Sequence, residues 1–133
     1  MIKQIQGNLS NDLSFVACLM AKRYLAQHHG VSDFDAAAKA QGAPGVDIDV
    51  RVTDGPRIVG EIKTTDPYLP NDFGAQQKLK FREDFAKLNK IPADVKYLFV
   101  TEVRTYEILV KKYASEIPGV RIVLLKDGDD TSV

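Results

Sequence analysis

The sequence predicts an α/β domain in which helices flank a central mixed β-sheet with an antiparallel hairpin and a parallel crossover. Residues 46–63 have the pattern of two strands joined by a turn. Residues 96–125 have the pattern of an apolar strand, a helix and a second apolar strand, which predicts a right-handed parallel crossover. A chain of 133 residues suits one compact core. We therefore expect residues 1–133 to form one domain, with a frayed polar tail at 126–133.

Helical patterns surround these strands. Ser10 or Asn11 is a candidate N-cap for a first helix that ends before Gly30. Residues 71–89 and 104–117 have apolar side chains at helical spacing and predict two further helices. Residues 31–42 have a mixed pattern, and their alternation favours a strand over a helix.

The charge balance and the apolar runs exclude several classes of protein. Lys plus Arg and Asp plus Glu number 18 each, so the basic excess of a simple nucleic-acid binder is missing. The longest apolar run is too short for a membrane span, and the first residues do not form a secretory signal. Cys18 is the only cysteine, which excludes an intrachain disulfide. We expect a soluble cytoplasmic protein that does not bind a membrane.

The hairpin has an unusual polar face. Asp47 and Asp49 alternate with apolar residues on the strand at 46–52, and Glu61 and Lys63 alternate with apolar residues on the strand at 58–63. A two-residue turn would place apolar side chains against polar ones. A three-residue loop at 54–56 keeps the faces consistent, with Asp49 opposite Glu61 and Asp47 opposite Lys63.

Two carboxylates facing each other repel by roughly 0.2–1 kcal/mol in a plain cross-strand pair, and by more when they lose water. A divalent cation with a neighbouring lysine would offset this repulsion. The alternative is that these side chains form the solvated face of an ordinary antiparallel hairpin, with weak ion pairs such as Asp47 to Lys63.

The order of elements and the motifs PGVDIDV and GEIKTT resemble the PD-(D/E)xK nuclease superfamily, which has the restriction-endonuclease-like fold. The matching residues are Gly45, Asp47, Glu61 and Lys63. The resemblance runs from the first helix to about Leu125. Several members have a glutamate on the first helix, where this chain offers only Asp12.

The resemblance implies a site for Mg²⁺ or Mn²⁺ formed by Asp47, Glu61 and the Ile62 carbonyl, which are hard oxygen ligands. Asp49 is a second ligand or a replacement for Asp47. Lys63 would hold or deprotonate the attacking water and counter the charge that develops on the phosphate. Many members have a polar residue on the following helix, and Gln77 matches it here, although Gln77 could instead cap a backbone group.

Candidate DNA contacts lie after the motif. Thr64 follows Lys63 directly, and Lys78, Lys80 and Arg82 belong to a segment with a local excess of positive charge. The same segment could be an ordinary helix surface. DNA would be the partner, together with a second copy of the chain or another protein that supplies a second active site for duplex cleavage.

The sequence therefore predicts a metal-dependent endodeoxyribonuclease. Two alternatives remain. One is a catalytically inactive module of the same fold that binds DNA or protein within a larger assembly. The other is an unrelated α/β protein that binds a small ligand at the carboxyl ends of its strands.

Overall fold

The computed structural model describes residues 2–29, 46–51 and 55–125, with the side chains of the first range described from residue 15 onward. Its elements in chain order are α1 (Ile2–His29), β1 (Ile48–Arg51), β2 (Arg57–Lys63), α2 (Ala75–Lys90), β3 (Val95–Val100), α3 (Val103–Ile108) and β4 (Val120–Leu124). The strand expected at 31–42 and the tail at 126–133 lie outside the described residues.

The described strands form one mixed sheet in the order β1-β2-β3-β4. β1 pairs with β2 in the antiparallel sense, and β2 with β3 and β3 with β4 are parallel. The predicted α/β class, the antiparallel hairpin and the parallel crossover are confirmed. A second crossover, through α2 between β2 and β3, extends the parallel part of the sheet.

The expected register of the hairpin is wrong by two residues. Ile48 pairs with Gly60 and Asp49 with Val59, so Asp49 does not face Glu61. Five residues, 52–56, connect the last paired positions of the two strands, where a loop of three was expected. Because the slip is an even number, the paired residues Ile48 to Arg51 keep their predicted faces of the sheet. Val46, which precedes β1, packs in the core beneath α2, whereas its alternation predicted the face of Ile48.

Two contacts explain this register. Asp49 accepts two hydrogen bonds from the guanidinium of Arg57, at 3.0 and 2.8 Å, which its expected partner Glu61 could not donate. On the other face, Ile48 lies beside Gly60, where the stacked rings of Tyr97 and Phe99 leave little space for another side chain. A Cβ at Gly60 would lie 3.3 Å from the Phe99 ring.

Each face of the sheet has its own apolar core. α1 covers the face of Ile48, Ile58, Tyr97 and Phe99 through its residues Ala17, Ala21 and Leu25. The other face packs against α2 and the helical segment that begins with α3. The buried residues on that side include Val59, Phe73, Phe81, Phe85, Leu88, Leu98, Val100, Ile108, Leu109 and Tyr113. The acidic face of the hairpin therefore lies beneath α2.

α1 begins ten residues before the predicted start, so Ser10 and Asn11 lie inside the helix and do not cap it. Cap-forming residues cost only a fraction of a kcal/mol within a helix, and the Lys, Gln and Ile residues before them continue helical structure. Across the described residues, no helix combines the length and apolar character that crossing a bilayer requires.

α2 begins four residues later than expected, because residues 71–74 belong to the preceding loop. Gly74 is its N-cap in extended conformation, and its N–H donates to Gln77 Oε1 over 2.9 Å. The predicted third helix starts as α3 and continues as a π-helical turn, Leu109–Tyr113, and a 3₁₀ turn, Ala114–Glu116.

The end of α1 is attached to the sheet by a titratable contact. His29 Nε2 lies 2.7 Å from the Tyr97 hydroxyl, which also accepts a hydrogen bond from Arg121 over 3.3 Å. Burial, together with the charges of Arg121 and His28, lowers the pKa of His29 from 6.5. The folded state thus favours the neutral imidazole.

We expect His29 to destabilise the fold when it is protonated. The unfolded chain binds this proton more readily, so the contribution of His29 is complete above pH 6.5 and is lost as the pH falls below that value. Thermal unfolding of the parent and of His29→Gln at several pH values measures the contribution of His29 to stability. The gap in Tm should shrink on acidification, and a gap independent of pH would contradict the prediction.

Candidate acidic site beneath helix α2

The site centres on Glu61, a carboxylate in the middle of the sheet. Glu61 faces α2 from β2, and it is only 4% exposed. Its Oε1 atom is fully buried and accepts no hydrogen bond from the described residues. A buried carboxylate oxygen that accepts no hydrogen bond costs free energy in a protein interior, which makes Glu61 a candidate functional residue.

α2 places two further charged groups over Glu61. Lys87 Nζ lies 3.5 Å from both Glu61 Oε1 and Asp84 Oδ1. Asp84 is 8% exposed, and its Oδ2 lies 2.7 Å from Lys63 Nζ. This last contact is an ion pair without hydrogen-bond geometry, since Asp84 Oδ2 also accepts no hydrogen bond. We call Asp47, Glu61, Lys63, Asp84 and Lys87 the acidic site.

Sequence reasoning missed Asp84 and Lys87 as members of the site. A signal for Asp84 existed, because Phe81, Asp84, Phe85 and Leu88 follow the i, i+3, i+4, i+7 spacing of one helix face. An aspartate among apolar residues on a buried face is rarely left without a partner. All four of these residues are buried in the structure.

The surroundings of Glu61 strongly favour its protonated form. Desolvation by burial, followed by the negative charges of Asp47 and Asp84, raises the pKa of Glu61 to about 7, although Lys87 acts in the opposite direction. Any positive charge that reached the site would relieve these effects together. The acidic site therefore has the electrostatics of a cation-binding position.

The structure distinguishes between the two aspartates of the first strand. Asp47 stands one residue before β1, so the same register continued by one step places it opposite Glu61. Its Oδ2 accepts a hydrogen bond from the Ile62 N–H over 2.9 Å. Asp49 instead pairs with Arg57 on the exposed part of the hairpin. Asp47 thus joins the acidic site and Asp49 does not.

The solvated-hairpin alternative describes only part of this face. It fits the ion pair of Asp49 and Arg57, which is exposed to solvent. It does not fit Glu61, which α2 covers. Lys63 pairs with Asp84 and not with Asp47, and its ammonium also lies 5.2 Å from the centre of the Phe81 ring. Lys63 is thus held between a carboxylate and an aromatic ring.

Gln77 has a structural role in the loop before α2. Its Oε1 accepts hydrogen bonds from the N–H groups of Tyr68 and Gly74, and its Nε2 donates to the Asp66 carbonyl. Through these three hydrogen bonds the Gln77 side-chain amide holds residues 66–74 together as one ordered loop. The geometry favours the capping alternative for Gln77 over contact with the reacting groups.

The predicted DNA contacts have different surroundings. Lys78 Nζ lies 3.2 Å from Asp72, and Arg82 pairs with Glu116. Lys80 is exposed on α2, and Thr64 is half-buried directly after β2. Acidic partners therefore compensate two of the three basic residues that were predicted to contact DNA.

The carboxylates of the acidic site fit a hard divalent cation. Asp47 and Glu61 supply oxygen donors on one side of the sheet, and the unsatisfied Glu61 Oε1 is an available ligand atom. Within the described ranges, no three His, Cys, Asp or Glu side chains are grouped closely enough to hold a metal by themselves. A cation here would have two carboxylate ligands, with the remaining positions open to water or substrate, as is common for Mg²⁺.

Comparison of the chain with protein-family models, with curated proteins and with solved structures finds no match in any of the three.

The raised pKa of Glu61 predicts that its charge destabilises the metal-free protein. The folded state binds the proton more tightly than the unfolded state, so the cost is complete above about pH 7 and is relieved as the pH falls towards 4.5. Glu61→Gln should therefore stabilise the protein by about 1–3 kcal/mol near pH 8, or several degrees in Tm. The advantage should shrink steadily on acidification.

Thermal unfolding in EDTA measures this effect. Glu83→Gln is the matched control, because it removes an exposed carboxylate from α2 and should change Tm little at any pH. A Glu61→Gln variant less stable than the parent at pH 8 would show that the Glu61 charge is compensated in the fold.

Proposed function

We propose that this protein is a metal-dependent endodeoxyribonuclease, with Asp47, Glu61 and Lys63 as its active-site residues. The observation that carries the proposal is the burial of Glu61 next to Asp47, with Lys63 on the same face and two residues away. The mixed sheet around these residues, with its antiparallel hairpin and parallel crossovers, supports the proposal because the resemblance of the motifs implies a sheet of this kind.

Each residue of the acidic site would have a separate role in phosphodiester hydrolysis. Asp47 and Glu61 would hold Mg²⁺ or Mn²⁺, which supplies Lewis-acid stabilisation and an activated water when bound. Lys63 would orient that water and counter the negative charge that develops on the phosphate. Asp84 would keep the Lys63 ammonium in position, since the two groups lie 2.7 Å apart. Lys87 lies at the more open side of the cluster and would attract the DNA backbone.

One active site of this kind cuts one strand, so cleavage of both strands of a duplex requires a second site. A homodimer with two-fold symmetry is the simplest arrangement, because the two antiparallel strands are related by the same symmetry. A partner protein with its own site would serve equally. A single chain would nick duplex DNA or cut single strands.

The inactive DNA-binding or protein-interaction module is the second candidate, and one observation favours it. Lys63 and Lys87 already neutralise part of the negative charge that a cation would neutralise. In such a module the acidic site would be a buried charge network that specifies how α2 packs on the sheet.

We expect the protein to cleave DNA only with Mg²⁺ or Mn²⁺, and expect Lys63→Ala and Glu61→Ala to reduce the cleavage rate by about 10²- to 10⁴-fold. Supercoiled plasmid, linear duplex, single strands and a four-way junction are incubated with each metal or with EDTA. Asp47→Asn should lose activity, whereas Asp49→Asn should retain it, because only Asp47 lies at the acidic site.

Glu83→Gln controls for loss of a carboxylate from α2 outside the site. Cleavage by Glu61→Ala at the parent rate would exclude the mechanism. Metal binding by the parent without cleavage of any substrate would favour the inactive module or a missing partner.

Metal binding should be visible without catalysis. We expect Mg²⁺ to raise the Tm of the parent, since a ligand bound only by the folded state stabilises it by about 2.7 kcal/mol at one hundred times its Kd. Glu61→Gln should lose most of this increase, and titration calorimetry should show the same difference. An equal Mg²⁺ response in the two proteins would mean that the cation binds elsewhere.

A further inference from the structure

An exposed tyrosine stands on the loop that leaves the acidic site. Tyr68 is 78% exposed, although it lies in a well-structured segment only five residues beyond Lys63. Five residues span at most about 18 Å, so the ring lies within a few nucleotides of any phosphate bound at the acidic site. The next residue, Leu69, is 48% exposed, so two adjacent apolar side chains of this loop face the solvent and form a candidate contact surface.

The position of Tyr68 is fixed by its neighbours. Its N–H donates to Gln77 Oε1 over 3.0 Å, and the same amide binds Gly74 and Asp66. The ring lies against the backbone of Gly74, where an added Cβ would approach Tyr68 Cδ2 to 2.9 Å. One edge of the ring is thus supported while most of its surface stays free. An exposed aromatic held in this way loses little entropy when it binds a ligand.

A basic cavity lies on the same loop. It has a volume of about 180 Å³ and is lined by Pro70, Asn71, Arg104, Glu107, Ile108, Lys111 and Lys112. Arg104 Nη2 donates to the carbonyl of Leu69 over 2.8 Å, which attaches the cavity wall to the residue next to Tyr68. The lining has three cations and one carboxylate, and two of the cations also pair outside it, Arg104 with Asp66 over 3.8 Å and Lys112 with Asp72 over 3.7 Å. Lys111 has no such acidic partner among the described residues, so it is the cation most available to a phosphate group.

From these features we infer that the loop and the cavity form a subsite for an unpaired nucleotide, in which the base stacks on Tyr68 and an adjacent phosphate enters the cavity at Arg104 and Lys111. The inference rests on the proposed function and narrows its substrate to single-stranded or branched DNA. We call this the nucleotide subsite.

The chemistry favours an unpaired nucleotide over an intact duplex. A base within a duplex is stacked on its neighbours and cannot place its face on a protein ring, whereas an unpaired base can. Stacking tolerates any base and needs no net positive charge on the protein, so it would supply affinity to a chain whose charges sum to zero. The cavity adds a phosphate contact at a defined distance from the ring.

Fluorescence anisotropy in EDTA tests the nucleotide subsite apart from cleavage. The probes are a short labelled single-stranded DNA, a blunt duplex of the same sequence, the duplex with a single-stranded overhang, and an RNA copy of the single strand. The parent should bind the single strand and the overhang more tightly than the blunt duplex. Tyr68→Ser should weaken binding of the single strand by about 5- to 100-fold, and Tyr68→Phe should bind as the parent does.

Charge variants test the cavity. Lys111→Gln should weaken binding and reduce the slope of log affinity against log salt by about 0.7, as expected for one lost phosphate contact to a single strand. Glu107→Gln should strengthen binding, because it removes the one carboxylate of the cavity. Arg23→Gln is the matched control, since it removes an exposed charge from α1 on the opposite face of the sheet. Thermal unfolding establishes that each variant is folded.

The outcomes separate this inference from the proposed function. Equal affinity of parent and Tyr68→Ser for the single strand, or no binding of any probe, would overturn the nucleotide subsite even if the plasmid were cleaved. If the variants show the expected differences in binding but the parent cleaves no substrate under any condition, the subsite is supported and the nuclease proposal is not. Tighter binding of RNA than of DNA would support the subsite and assign it to RNA.

Discussion

The burial of one carboxylate organises this protein. Glu61 stands on β2, an inner strand of the sheet, where α2 covers it, and the charged groups nearest to it determine how far its charge is compensated. Lys87 and Lys63 supply positive charge, while Asp47 and Asp84 add negative charge. The result is a cluster that the fold tolerates but does not fully neutralise. Such a cluster is costly as a purely structural device, and strongly perturbed carboxylates of this kind are typical of functional sites.

The two faces of the sheet have different roles because of this cluster. The face beneath α1 holds an apolar core with stacked aromatic rings, and the Tyr97 hydroxyl there contacts His29 at the end of the helix and Arg121 on β4. The face beneath α2 combines an apolar core with the acidic site. Phe81 belongs to both, since it packs on Phe73 and also lies below the Lys63 ammonium. The position of the lysine is therefore coupled to the packing of the core.

Loop 64–74 extends the acidic site outward. Gln77 uses its whole amide to order this loop, so a residue expected near the reacting groups instead shapes the surface beside them. The same hydrogen bonds present Tyr68 to solvent, and Arg104 connects the loop to the basic cavity. Loop 64–74 thus begins at the acidic site, carries Tyr68 and contributes Pro70 and Asn71 to the cavity lining, while the rest of that lining comes from residues 104–112.

Local sequence patterns determined the class of fold, the positions of most helices and strands, and the face on which the paired side chains of the hairpin lie. Periodicity carries this information because side chains repeat every two residues in a strand and every 3.6 in a helix. Only the tertiary structure decided which charged residues form the acidic site. Asp47 lies opposite Glu61, and Asp84 and Lys87 join them from α2. Asp49 lies outside the site and pairs with Arg57. These features depend on a two-residue shift in register and on which face of α2 meets the sheet, and both follow from packing between segments that are distant in the sequence.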